Sequence, residues 1–194
     1  MKRENRLSAW LSHIGLYIRA LAKWLALAAV IGALCGLSQA ASVIIGKKLG
    51  SKEYEDAYRD SWRLIRYGFF GAVILSVLVV IASPLYVEIY QVDAAVKLLT
   101  RQILVAYALV APFKVLNMIA GGGIVRSGGK TNYVMVVDMI GTWIFGVPLG
   151  LLSAFVWKLP IPYVYFILSL EECVRFTITV FILRSKRWMQ SLEG

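Results

Sequence analysis

Histidine, cysteine and charge are all scarce in this chain. Its 194 residues include one His, two Cys and only 16% charged side chains, against roughly 25% in an average soluble domain. The cysteines, Cys35 and Cys173, both fall inside apolar runs, where a lone thiol behaves as a small hydrophobe. They imply no disulfide framework. No HExxH, no paired cysteine ligands and no nucleophile with a nearby base appear, so the expectation is a protein that is not an enzyme and holds no metal or cofactor. His13 has no second ligand nearby and reads as an interfacial polar side chain rather than a metal or proton site. The ten-residue alternating segments of an outer-membrane barrel are also missing.

Apolar sequence fills the space left by charge: 59% of the residues are hydrophobic and the mean hydropathy is +0.71. Runs near residues 24–46, 67–83, 103–120, 133–157 and 162–183 approach or exceed the ~20 residues that a helix needs to cross the bilayer. The fold class expected is therefore all-α, a polytopic transmembrane bundle of five spanning helices plus an N-terminal amphipathic or sixth helix. Residues 1–23 form a basic segment in which Trp10, Ile14, Tyr17 and Leu21 recur at helical spacing. That pattern suits a helix lying on the membrane. The apolar run that follows is too long for a signal peptide and has no clear cleavage site, so a retained helix is expected. Residues 24–188 make the transmembrane lobe and 189–194 a cytoplasmic tail; the closing sequence RSKRWMQSLEG is basic and aromatic, an interfacial stop.

The net charge of +10 is spread over short loops and helix ends, which argues against nucleic acid and for a topology signal. Lys47, Lys48, Lys52, Arg59, Arg63, Arg66, Arg126, Lys130, Arg184, Lys186 and Arg187 share one side if the helices alternate; Lys97, Arg101 and Lys158 occupy the other. The positive-inside rule makes the first side, with the C-terminus, cytoplasmic. Five crossings then put the N-terminus outside, although Lys2, Arg3, Arg6, Arg19 and Lys23 lie there. Either this segment makes a further crossing or it is not the natural start of the fold. Between the first two helices, Gly46 and Gly50 can take left-handed cap conformations and Ser51 can cap the second. Glu53, Glu55 and Asp56 match that helix's dipole better than they suggest a metal site. The second helix is expected to stop at Ser83-Pro84, the third is interrupted by Pro112, and the fourth is expected to kink near Pro148.

Residues 121–131, GGGIVRSGGKT, invite a nucleotide-binding reading. A phosphate loop needs a glycine five residues before Gly129, where this chain has Ile124, and a strand before it. As a cytoplasmic turn every residue has a use: glycines end the helix, Arg126 and Lys130 hold the loop outside the membrane, and Thr131 or Asn132 caps the next helix. Gly123, Arg126, Gly128 and Gly129 mark this loop.

Lys114, Asp138, Glu171, Glu172 and Arg175 lie within the apolar blocks, each at about 2.5–3.5 kcal/mol if at a helix centre. They are expected to face protein or a water-filled cavity. Glu171 and Arg175, four apart, can neutralise each other and hold the last helix to its lobe; alternatively Glu171 or Glu172 takes up a proton. Lys114 can pair with Asp138 across helices, and Asn117 can hydrogen-bond there. Together Asp138, Glu171, Glu172, Arg175, Lys114 and Asn117 are the candidate substrate or proton pathway.

The ordered combination GLSQAASVIIGKKLGSKEYEDA, GGGIVRSGGKT, DMIGTWIFGVPLG, SLEECVRF and RSKRW resembles the multidrug and toxic compound extrusion (MATE) antiporters, specifically their C-terminal half. The resemblance implies one lobe of a twelve-helix, two-lobed membrane protein, with this chain similar to the eighth to twelfth helices. It further implies secondary active transport in the cell membrane, exporting small organic cations or drugs in exchange for H+ or Na+, with the lipid bilayer and a second lobe or homodimer partner. Residues before Trp24 do not resemble the preceding helix, and Lys114 stands in a helix where some members use acids. The alternatives are a truncated inactive fragment or a half-size homodimeric transporter.

Overall fold

A computed structural model describes residues 35–88 and 93–189. The N-terminal amphipathic segment, His13, the start of the first predicted span and the last five residues lie outside these. Five helical stretches follow in order: α1, helical over 35–50; α2, Tyr54–Glu88; α3, Ala94–Val125; α4, Thr131–Val156; and α5, formed by Ile161–Ser169 and Glu171–Arg184. Among the described residues α2, α3 and α4 are each long and apolar enough to cross a membrane. The protein is an all-α transmembrane bundle.

The buried positions explain the packing. Ser38, Ala41, Ile45 and Leu49 make one stripe on α1, and Ala57, Ser61, Ile65 and Ala72 make another on α2, both at the spacing of one helix face. Small side chains let backbones approach: a Cβ on Gly123 of α3 would press on the Ser38 carbonyl, and one on Gly68 of α2 would overlap Ile119. Away from these stripes Tyr67, Phe70, Ile74, Ile81, Trp143 and Phe155 are each more than 60% exposed. Such apolar surface is a liability in water and ordinary in hydrocarbon. α3 is central, touching α2, α4 and both parts of α5.

Several expectations are corrected. α2 does not stop at Ser83-Pro84 but carries Pro84 inside it to Glu88, and Pro112 likewise lies within a continuous α3; such prolines are tolerated where neighbouring groups re-satisfy the freed carbonyls. The glycines at 121–123 do not end α3. They lie in a π-helical segment, Met118–Val125, and the chain turns only at Gly128 and Gly129, the latter with φ 76°. Two further π segments, Ile140–Gly146 and Leu152–Val156, flank Pro148 in α4. Neither Ser51 nor Thr131 caps a helix: the Ser51 hydroxyl donates to the Lys47 carbonyl at 3.1 Å, and α4 begins after Lys130 with no side-chain cap. The left-handed residue between α1 and α2 is Lys52, φ 63°, not Gly46 or Gly50.

The basic C-terminal stretch folds inward. Trp188 is fully buried; its Nε1 donates to the Leu183 carbonyl at 3.1 Å, and a Cβ on Gly128 would strike its backbone carbonyl. Lys186 bonds Glu55 of α2 at 2.8 Å and covers the Tyr58 ring at 4.8 Å. Trp188 is thus a core residue joining α5 to the α3–α4 turn, where an interfacial position was expected.

Candidate functional site

Every membrane-embedded charge singled out in the sequence converges on one region between α3, α4 and α5. Glu171 and Glu172 occupy the first turn after Leu170, where α5 tightens through three-residue hydrogen bonds from Leu170 to Ile167 at 3.1 Å and from Cys173 to Leu170 at 3.0 Å. Glu172 is 7% exposed. Asn117 of α3 reaches it from across the bundle, donating from Nδ2 to both its backbone carbonyl and its Oε2, each at 2.8 Å. Lys114, one turn earlier on α3, places Nζ 3.9 Å from Oε1.

Arg175 organises the second half of the region. Its guanidinium lies 3.1 Å from Glu171 and 3.5 Å from Asp138 of α4, and also donates to the Thr142 hydroxyl. The π segment Ile140–Gly146 makes room for these groups. A Cβ at Gly141 would overlap the Arg175 side chain, and one at Gly146 would overlap the Glu171 carboxylate. The two glycines, five apart on the wider π turn, match Arg175 and Glu171, four apart on α5.

These elements border an open cavity of about 680 Å³, lined by Lys114, Asn117, Asp138, Glu172 and Arg175 with Arg126, Thr142, Trp143 and Thr179. Chemically it offers carboxylates to a cation, an indole face that can stack on one, and internal cations that hold the acids when none is bound.

Residues 21–152, more than half of the sequence, match the MatE family. The chain belongs to the MatE family. It is 31% identical over 124 residues to multidrug and toxin extrusion protein 1 of Pongo abelii, covering 64% of this chain and 22% of that protein. Multidrug and toxin extrusion protein 2 of Mus musculus is 28% identical over 163 residues, covering 81% of this chain and 27% of its own length. A probable multidrug resistance protein NorM of Pasteurella multocida is 27% identical over 114 residues, covering 59% and 24%. This MatE chain thus spans about a quarter of the length of the curated relatives it matches. No solved structure matches it significantly.

Within this MatE bundle the expected Glu171–Arg175 pair is present. The cross-helix pairing differs from expectation: Lys114 faces Glu172, and Asp138 faces Arg175. Asn117 likewise serves Glu172. The loop markers separate in role, since Gly123 and Gly128 are buried contacts while Arg126 and Gly129 are exposed. Gly141, Thr142, Gly146 and Thr179 were missed. The signal for the two glycines was in DMIGTWIFGVPLG itself, a pair of side-chain-free positions inside an apolar helix.

Proposed function

We propose that the chain is one lobe of an ion-coupled antiporter that exports small organic cations, with Glu172 as the group whose protonation is exchanged against substrate. The observation that carries this reading is Glu172 itself, 7% exposed at the wall of a large charged cavity and held by Asn117 and Lys114. Intramembrane acids facing a cavity mark ion pathways. An organic cation entering the cavity is attracted by the Glu172 and Asp138 carboxylates. Protonation of Glu172 removes one of those charges and repels the cation further by leaving Lys114 unneutralised. Proton and substrate therefore compete for one site, which is the logic of antiport, and a rocking of lobes about that site alternates its access. The names of the relatives support export of drugs and toxins; Na+ in place of H+ would use the same carboxylate.

The test is gradient-driven efflux of a fluorescent organic cation from vesicles. Glu172→Gln is expected to reduce efflux to background while the protein still inserts. Undiminished efflux in that variant sinks the assignment. A second reading rests on the chain's length relative to the proteins it matches: efflux by this chain alone supports a half-size homodimer, efflux only with a separately supplied lobe supports the single-lobe reading, and neither supports an inactive fragment.

The proposed orientation places the α1–α2 and α3–α4 turns and the C-terminus in the cytoplasm of a cell membrane, following the basic residues. With Cys35 and Cys173 replaced by serine, Ser127→Cys in intact cells is expected to resist a membrane-impermeant thiol reagent and to react once the membrane is opened. Labelling from outside overturns the orientation.

A further inference from the structure

A second cavity, about 670 Å³, opens between α1 and the α3–α4 turn. It is nearly the size of the first and adjoins it, sharing Gly122, Arg126 and Thr131. Its lining includes Lys47 and Arg126, the amide of Gln39 and the hydroxyls of Ser42, Ser127 and Thr131, with no Asp or Glu among the described residues. Four cations at this end are paired, Lys48 and Arg63 with Asp60, Arg59 with Asp56 and Lys186 with Glu55. Lys47 and Arg126 belong to those with no ion pair or side-chain hydrogen bond among the described residues, and they are the two that line this cavity. Beside them α4 starts at Thr131 without a side-chain cap; the Tyr133 N–H bonds the Lys130 carbonyl at 3.0 Å, which leaves the Thr131 and Asn132 N–H groups directed out of the helix start.

We infer that this cavity binds a phosphate-bearing anion, with Lys47 and Arg126 as its charged grip. Three independent features agree: unpaired cations on two different helical elements, the Ser42 and Thr131 hydroxyls and the Gln39 amide between them that can donate, and an uncapped helix start, which attracts phosphate. Guanidinium and ammonium groups bonded to phosphate oxygens form the stronger class of hydrogen bond. The cavity lies at the basic end of the bundle, beyond the apolar part of α3, where a basic pocket between transmembrane helices takes an anionic headgroup. The open cavity has room for a phosphate carrying an organic group such as glycerol, either as a lipid headgroup or as a soluble ester.

Two arms separate these sources. In the first, the chain is reconstituted in nanodiscs of phosphatidylcholine with phosphatidylglycerol, released, and its retained lipid counted by native mass spectrometry. In the second, glycerol 3-phosphate is titrated against the chain in detergent, following thermal stability. Retained phosphatidylglycerol that falls about tenfold in Lys47→Gln/Arg126→Gln, as expected for losing charge-assisted contacts worth a tenfold change in binding, identifies a lipid. Stabilisation by glycerol 3-phosphate that disappears in the same variant identifies a soluble ester. Arg101→Gln, at the opposite end, is expected to change neither. The proposal is overturned if neither probe binds wild type, if the double variant binds as well as wild type, or if Arg101→Gln loses as much.

Discussion

Arg175→Met is expected to destabilise the bundle by about 3 kcal/mol, because removing one partner of a buried ion pair leaves the other charge desolvated and unpaired. Most of the loss falls on Glu171, whose side chain is 17% exposed. Asp138, at 59%, recovers solvent and contributes little. The guanidinium also bonds Thr142, so Lys at this position restores charge without the forked geometry and is expected to recover only part of the loss. Adding Glu171→Gln to Arg175→Met should return a measurable fraction, since the orphaned charge is gone; a double-mutant cycle in detergent, read by thermal unfolding, isolates that coupling. Additive effects of the two substitutions would show that the pair does not hold α5.

Trp188→Ala carries a comparable penalty, about 3–5 kcal/mol, the range for truncating a large buried aromatic side chain. Trp188 is fully buried in the same core as Ile45, Leu49, Ile124 and Leu183, and its backbone lies against Gly128. Trp188→Phe keeps most of the volume and loses the Nε1 bond to the Leu183 carbonyl, a change of about 1 kcal/mol. Limited proteolysis should cut the alanine variant near the α3–α4 turn at lower protease concentrations than wild type. Unchanged cleavage, with unchanged thermal stability, would show that the chain end does not seal that turn.

Apolar length and local spacing carried the fold and part of the site. The runs near 103–120 and 133–157 became α3 and α4, and Glu171 with Arg175 was legible because four residues on one helix decide the contact without any tertiary knowledge. The partner of Glu172 was not legible. Asn117 is 55 positions away, and whether α3 offers Lys114 and Asn117 to Glu172 or to Asp138 depends on the rotation of α3 about its axis, which composition does not set. The glycines at 121–123 were read as a stop signal because glycine weakens an α-helix in water. Here they allow α1 to approach, with Ser38 donating to the Met118 carbonyl at 2.6 Å where the π segment begins. Trp188 was placed at the interface on its basic neighbours, although one side chain in such a run can turn inward while its neighbours remain in water.

The position of Trp188 also bears on the order of assembly. The core draws on Ile45 and Leu49 near one end of the described chain and on Trp188 near the other. Synthesis delivers α1, α2 and α3 first, so these helices can insert and pair while the pocket against Gly128 is still empty. That pocket fills only when the last turn of α5 has entered the membrane and the chain has doubled back. A nascent chain stalled before residue 188 therefore exposes an unfilled core at the α3–α4 turn.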